Sequence, residues 1–413
     1  MATLAPESVS HRPVDPLDVS RAELYRDDTW PAPFKRLRTE APVYRCEYSD
    51  YGPYWSISTY KPIVEIESLP DLYSSEAGGI TLADFIPDSD VRMPMFIARD
   101  RPVHTGQRRT VAPAFTPSEM QRMSTDIRRR TAEILDSLEW NKQFDWVDTV
   151  SIELTTQMLA ILFDFPWEDR RKLTFWSDWA GDIELVKNEE LRKQRLQHMY
   201  ECGAYFQNLW NGKVGKPQTP DLISMMIHSD AMAHMDHFEF IGNLILLIVG
   251  GNDTTRNSMS AAAYGLDLFP EERARLEADP SLIGNATQEI IRWQTPLAHM
   301  RRTATQDTEL AGQRIKAGDK LALWYISANR DESVFGVDAD ILRVDRPNAR
   351  RHLAFGHGIH RCVGARLAEL QIGILLEEMA KRRMRVNVVG EPERVAACFV
   401  HGYRKLPVEI SKY

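Results

Sequence analysis

The sequence predicts a mainly α protein with small β-sheets. Three observations carry this expectation. Helical patterning fills most of the chain from 118 to 294 and returns from Ala365 to about Lys381. β-branched and aromatic residues beside turn signals occur only in short pieces near the two ends. No internal repeat, low-complexity tract or linker divides the 413 residues. One large domain over 1–413 is therefore expected, although length alone suggests two or three.

In chain order, residues 1 to about 30 are rich in Pro, Asp, Ser and Arg and read as an irregular lead-in. The text from Val43 to Ser68, with Val43-Tyr44-Arg45 and Tyr54-Trp55-Ser56-Ile57-Ser58, reads as short strands. Residues 77–100 form a long loop with apolar cargo, a kind of loop that is often functional. Thr116-Pro117-Ser118-Glu119 is a helix start, with Pro just inside and an acid in the first turn. Helical patterns then cover 118–137, 149–163, 167–185, 188–211, 237–266, 271–277 and 281–294. Strand-like pieces follow at Met300–Thr303, Thr308–Leu310, Gln313–Ile315 and Lys320–Trp324, and after the last helix at Val386–Val389 and within Cys398–Ile410.

Composition narrows the function classes. Apolar types make up 43% and charged types 27%, as in a globular protein and unlike a disordered or fibrous one. Four cysteines (Cys46, Cys202, Cys362, Cys398), with no C-x-x-C, exclude a disulfide scaffold and argue against a zinc ribbon. A net charge of −8 argues mildly against nucleic-acid binding. The N-terminus lacks a basic segment followed by an apolar run, and the most apolar stretch, Leu244–Val249, is far below the roughly 18 residues of a membrane span. A cytoplasmic protein without membrane anchor is expected.

The most informative stretch is His352-Leu353-Ala354-Phe355-Gly356-His357-Gly358-Ile359-His360-Arg361-Cys362-Val363-Gly364. Its glycines permit tight turns and close ligand approach. A cysteine just before a helix N-terminus feels the positive end of the dipole, which favours the metal-ligating thiolate. Two other readings stand beside this one: a buried structural cysteine in a Gly-rich turn, and a zinc site from His352, His357, His360 and Cys362. The pattern Phe355-x-x-Gly358-x-His360-x-Cys362-x-Gly364 resembles the haem-binding loop of cytochromes P450. The resemblance implies haem b held between this loop and a central helix, with Cys362 as the axial thiolate on iron.

Three further motifs occur in that family's order. Gly250-Gly251-Asn252-Asp253-Thr254-Thr255 ends an apolar run. Two glycines in a helical pattern cost about 1 kcal/mol each, so a π-bulge or opened turn beside a ligand is expected; a helix C-cap followed by a new N-cap is the other reading. By resemblance, Thr254 would hydrogen-bond dioxygen and a water, and Asp253 would relay protons from bulk water. Glu289-Ile290-Ile291-Arg292 places two charges on one helix face, where a weak surface pair is the ordinary case. In the family this pair is buried below the haem loop and joined by an arginine, here Arg346. Asp100-Arg101-Pro102-Val103-His104-x-x-x-Arg108 puts His104 and Arg108 one turn apart. With Arg302 (or Arg301, should the strand register differ by one) and His360 they match the family's propionate donors, and solvated charges are the alternative. Arg101 departs from the family's commoner first proline.

The central-helix text, Phe238-Glu239-Phe240-Ile241-Gly242-Asn243-Leu244 through Ser260, is similar to the bacterial alkane and fatty-acid terminal (omega) hydroxylases of this family. So are Ile290–Ala298, Leu154–Ala160 and Asn329–Glu332. His299, His357, Ala365 and residues 181–200 depart from that pattern. The resemblance implies a monooxygenase that inserts one atom of O2 into an unactivated C–H bond, at a terminal methyl of an alkane, fatty acid or terpenoid. A bulkier cyclic, terpenoid or polar-headed substrate is the alternative. Electrons would come from a separate [2Fe–2S] ferredoxin and an FAD-dependent reductase, meeting Arg108, Arg109, Arg361 and Arg366 on the cysteine side. An apolar pocket is expected from Ile80, Leu82, Phe85, Met93, Met95, Phe96, Leu246, Leu247, Gly250, Leu297, Met300 and Phe399. His299 in that pocket would bind a polar group. Outside the monooxygenases, a haem-thiolate sensor or carrier would share Cys362 without needing Asp253-Thr254, and a metal-dependent hydrolase would need only the histidines.

Overall fold

The computed structural model describes residues 15–85, 91–182, 184–185 and 188–413. Its helices are α1 Ala22–Arg26, α2 Pro31–Glu40, α3 Tyr60–Ser68, α4 Val103–Val111, α5 Pro117–Ser137, α6 Glu153–Phe163, α7 Arg171–Gly181, α8 Glu189–Lys213, α9 Leu222–Ile227, α10 His237–Leu268, α11 Pro270–Ala278, α12 Ile283–Gln294, α13 Tyr325–Ala328, α14 Glu332–Phe335 and α15 Ala365–Lys381. Its strands are β1 Val43–Cys46, β2 Tyr54–Ile57, β3 Tyr73–Ser74, β4 Phe144–Asp145, β5 Met300–Ala304, β6 Thr308–Leu310, β7 Gln313–Ile315, β8 Lys320–Leu323, β9 Met384–Val388, β10 Glu393–Arg394, β11 Tyr403–Lys405 and β12 Pro407–Lys412.

Local chemistry starts the long helices. Thr116 accepts from the Glu119 backbone N–H and Pro117 fills the first turn of α5. Asp236 accepts from the N–H groups of Phe238 and Glu239 at the start of α10. That helix is buried along most of its length and packs against α6, α7, α8, α12 and α15. A helix apolar on nearly every face belongs in the middle of a bundle.

Several sequence expectations change. The early and middle strands are not separate sheets: β1-β2-β8-β5-β3 form one, with Trp55 opposite Leu321 in the parallel β2–β8 pair. Residues 60–68, read with the strands, are helical, because Ile63 and Ile66 recur at helical spacing and both are fully buried. Part of the expected irregular lead-in is α1, and residues 1–14 lie outside the described ones. The pattern at 149–163 begins as a π-type turn over 147–152 before α6. The 77–100 loop carries a short 3-10 turn at Phe96–Ala98, and its residues 86–90 lie outside the described ones.

Three buried cores result. One lies between the five-stranded sheet and α2–α3, one beneath the roof helices α6–α10, and one between α10, α12, α15 and the C-terminal strands. Among the described residues no helix is long and apolar enough to cross a membrane.

Candidate active site

A cavity of about 800 Å3 lies between α10 and the loop that precedes α15. Gly250, Asp253 and Thr254 line it from the helix, and Phe355, His360, Cys362 and Gly364 from the loop. Ile80, Phe85, Met93, Met95, Phe96, Leu246, Leu247, Leu297, Met300 and Phe399 also reach it. So do residues for which the sequence carried no signal beyond amphipathicity: Met158, Leu159, Ala180, Gly181, Leu196 and Met199 on the roof helices.

Leu82 and His299 do not line it. Leu82 is fully buried in the core beside the sheet. The His299 ring lies against Trp324 and Phe399, with centroids at 4.7 and 5.4 Å, and Nδ1 stands 2.8 Å from the Cys398 carbonyl. Burial depresses its pKa to about 4, so it is a neutral core ring. Its neighbours Leu297 and Met300 take the wall positions, while Ala298, whose N–H donates to the Phe399 carbonyl, is buried in the core beside the sheet.

The cysteine loop is shaped by its glycines. Gly356 and Gly358 have φ of +67° and +65°, and a Cβ on Gly358 would stand 2.1 Å from the Glu67 carbonyl oxygen. The Cys362 N–H donates to the Phe355 carbonyl at 2.8 Å, closing the turn. The Cys362 side chain is exposed to the cavity and enclosed by protein elsewhere. Burial pushes its pKa up, while the Gly364 N–H and the Arg108 and Arg361 guanidiniums pull it down. The net direction is upward. No group of three or more His, Cys, Asp or Glu among the described residues is placed to hold a metal, which removes the zinc reading.

The central helix contradicts one expectation. α10 runs unbroken through Gly250–Gly251, with neither a π-bulge nor a cap there. The glycines have other reasons. A Cβ on Gly251 would stand 2.7 Å from Leu159 Cδ2, whereas one on Gly250 meets nothing within 4 Å and would enter the cavity. The Thr254 hydroxyl donates back to the Gly250 carbonyl at 2.9 Å.

Asp253 is buried, and its Oδ1 accepts from the Ser177 hydroxyl at 2.7 Å. Arg256 Nη2 lies 3.3 Å from that oxygen and 2.7 Å from Asp178, whose side chain is 50% exposed. Burial raises the Asp253 pKa against the pull of Arg256. A carboxyl poised this way can hold or release a proton, and the Arg256–Asp178 pair links it to the surface.

The His104 and His360 rings meet on the cavity wall at a tilt of 52°, with centroids 4.2 Å apart. Both His104 nitrogens and His360 Nδ1 are buried without a partner among the described residues. Burial lowers the two pKa values to about 4 and about 2, helped by Arg108 at His104 and by Arg302 at His360. Arg108 and Arg302 line the same cavity, as does Arg301, which is held by Asp84 at 2.7 Å. Orphaned donors beside two guanidiniums are the environment that paired carboxylates would satisfy.

Beneath the loop, Glu289 receives Arg292 through two bonds of 2.7 Å and Arg346 at 2.9 Å, all three essentially fully buried. The remaining guanidinium protons go to backbone carbonyls of residues 329–341 and to Asp338, so the charges are paired and hydrogen-bonded. This is no surface pair.

A thiol facing a helix hydroxyl across an apolar cavity, above a buried Glu–Arg–Arg trio, has a counterpart among known proteins. The family model for cytochrome P450 matches residues 115–383. The chain is a cytochrome P450. Linalool 8-monooxygenase of Pseudomonas putida is 35% identical over 405 residues, covering 95% of this chain and 98% of that protein. A methyl-branched lipid omega-hydroxylase of Mycobacterium tuberculosis is 32% identical over 397 residues, covering 92% and 91%. The solved structure of CYP153D17 from Sphingomonas sp. PAMC 26605 superposes with a TM-score of 0.93 at 82% identity, covering 97% of this chain and 100% of that one. This P450 is accordingly a monooxygenase of a family whose cofactor is haem b.

Proposed function

We propose that this P450 hydroxylates the terminal methyl of a hydrophobic substrate of the alkane, fatty-acid or terpenoid class. The observation that carries the reading is the cavity: its lining is mainly apolar, with Ile80, Met93, Met95, Phe96, Leu246 and Leu247 on its wall, and His299 is not part of it. The curated relatives named for attack on a lipid omega position and on carbon 8 of linalool support the same chemistry.

Haem b, when bound, supplies the oxidising chemistry that inserts one oxygen atom into a C–H bond. In our reading Cys362 would bind it through its sulfur, Phe355 and Gly364 would frame that loop, and His104, Arg108, Arg302 and His360 would hold its propionates. Glu289, Arg292 and Arg346 keep the loop in place. Thr254 positions a proton donor on the opposite side. Asp253 passes protons inward by exchanging its partners Ser177 and Arg256. The Met93, Met95 and Phe96 side chains exclude water and hold a chain end. Electrons arrive from a separate [2Fe–2S] ferredoxin with its FAD-dependent reductase.

Two measurements on purified holoenzyme test this. The ferrous–CO form is expected to show the band of thiolate-ligated haem and Cys362→Ser to lose it; an unchanged band in the variant overturns the ligand assignment. Spin-state titration with n-alkanes, fatty acids and terpenes, followed by product analysis, tests the substrate. A terminal alcohol is expected. No spin shift with any n-alkane or fatty acid, or oxidation only at ring positions, overturns terminal selectivity.

A further inference from the structure

Glu67 is a buried carboxylate that the proposed reaction does not use. It stands at the end of α3, with its side chain 1% exposed, between the sheet and the cysteine loop. Oε1 accepts from Arg302 Nη2 at 3.0 Å and from the Tyr325 hydroxyl at 2.6 Å. Oε2 accepts from the His357 backbone N–H at 2.8 Å, inside the turn that leads to Cys362. Its own carbonyl oxygen packs where a Cβ of Gly358 would be, so α3 and the loop touch directly.

A buried charge is costly unless paired and hydrogen-bonded. Glu67 receives three donors from three different elements: β5, α13 and the cysteine loop. The arginine among them lines the cavity, where it is a propionate donor in the reading above. The same guanidinium thus carries the buried carboxylate on Nη2, while Nη1 donates to the Arg301 carbonyl at 2.8 Å. Arg302 is therefore not a full positive charge toward the cavity. It arrives partly neutralised and aimed by Glu67.

We infer that Glu67 is a positioning residue for the haem, which aims and partly neutralises Arg302 on the cavity wall and ties that arginine to the Cys362 loop, so that its negative charge holds the haem reduction potential down. The inference rests on the haem reading of this cavity. Haem proteins set their potential by ligand, hydrogen bonding and burial, and a fixed anion beside the cofactor favours the ferric state.

The test is redox potentiometry of the substrate-free holoenzyme, with the ferrous–CO spectrum recorded alongside. Glu67→Gln keeps the shape and removes the charge. It is expected to shift the ferric–ferrous equilibrium toward ferrous by on the order of tenfold, which for one electron is about 59 mV upward, with the thiolate band retained. An unshifted potential with the band intact overturns the inference. A wild-type protein lacking the thiolate band would instead overturn the haem–Cys362 reading, so the two failures are distinguishable. Should Glu67→Gln not retain haem, Glu67→Asp decides. It preserves the charge and is expected to bind haem at the wild-type potential. A Glu67→Asp protein that loses haem, or shifts upward by the tenfold expected of the neutral variant, shows that charge is not what matters and also overturns the inference.

Discussion

The Thr254 hydroxyl donates to the Gly250 carbonyl and lines the cavity, and a hydroxyl that donates one bond still has lone pairs with which to accept another. Thr254→Ala keeps the helix and removes the hydroxyl. Product formed per NAD(P)H consumed is expected to fall by at least about tenfold, the direction a lost proton-transfer group requires, with peroxide released in its place. Unchanged coupling removes the proton-delivery role. His299 gives a prediction of a different kind. Its folded pKa, about 4, lies below the roughly 6.5 of an unfolded histidine. The unfolded chain therefore takes up the proton first, and stability that is full above pH 6.5 is lost as pH falls toward 4. The loss attributable to this ring is about 3 kcal/mol. Denaturant unfolding of the holoenzyme across that window is expected to show it, and His299→Gln to lessen the slope by this ring's share, with the share of His104 and His360 retained. An equal slope in the variant would show that the ring titrates normally.

Among elements, α10 answers why two glycines interrupt an apolar helix. They do not bend it; each clears a different neighbour. Gly250→Ala is expected to raise stability by about 0.5–1 kcal/mol, because alanine loses less entropy in a helix and nothing stands in the way. The same methyl projects into the cavity and is expected to weaken the spin shift of bulky substrates first. Gly251→Ala meets Leu159 and is expected to cost about 1–3 kcal/mol of overpacking, outweighing the propensity gain. Thermal unfolding of the two single variants checks the pair. If both move the same way, the packing account of these glycines fails.

Across the whole molecule, the Glu289–Arg292–Arg346 trio joins α12 to the segment before the cysteine loop. Removing one member leaves another charge buried and unpaired, and Arg346→Met is expected to cost about 3–5 kcal/mol, with loss of haem on heating before the helices melt. Haem retention that tracks helix content in that variant would remove the link. On the loop side, Arg109, Arg361 and Arg366 are exposed, with no carboxylate in ion-pair reach among the described residues. A net charge of −8 is compatible with this local basic face. Reduction by a [2Fe–2S] ferredoxin is expected to slow several-fold between low and physiological salt, as screened steering requires. A flat salt dependence argues for docking elsewhere.

By itself the sequence determined the helical class, the long helices whose caps and apolar periodicity are local, and the motifs around Cys362, Asp253-Thr254, Glu289 and His104. Those signals need only neighbours within a few residues, or a resemblance carried by short fixed spacings. Tertiary structure alone decided what depends on partners hundreds of residues away. Residues 60–68 became a helix because Ile63 and Ile66 have a core to enter. His299 left the pocket because Trp324 and Phe399 offered it a dry slot. Arg302 was legible as a cation near the cofactor, but the carboxylate that aims it lies 235 positions earlier, at the end of a helix the sequence had not shown. Long-range electrostatic pairing has no periodicity, so only the fold could bring Glu67 to it.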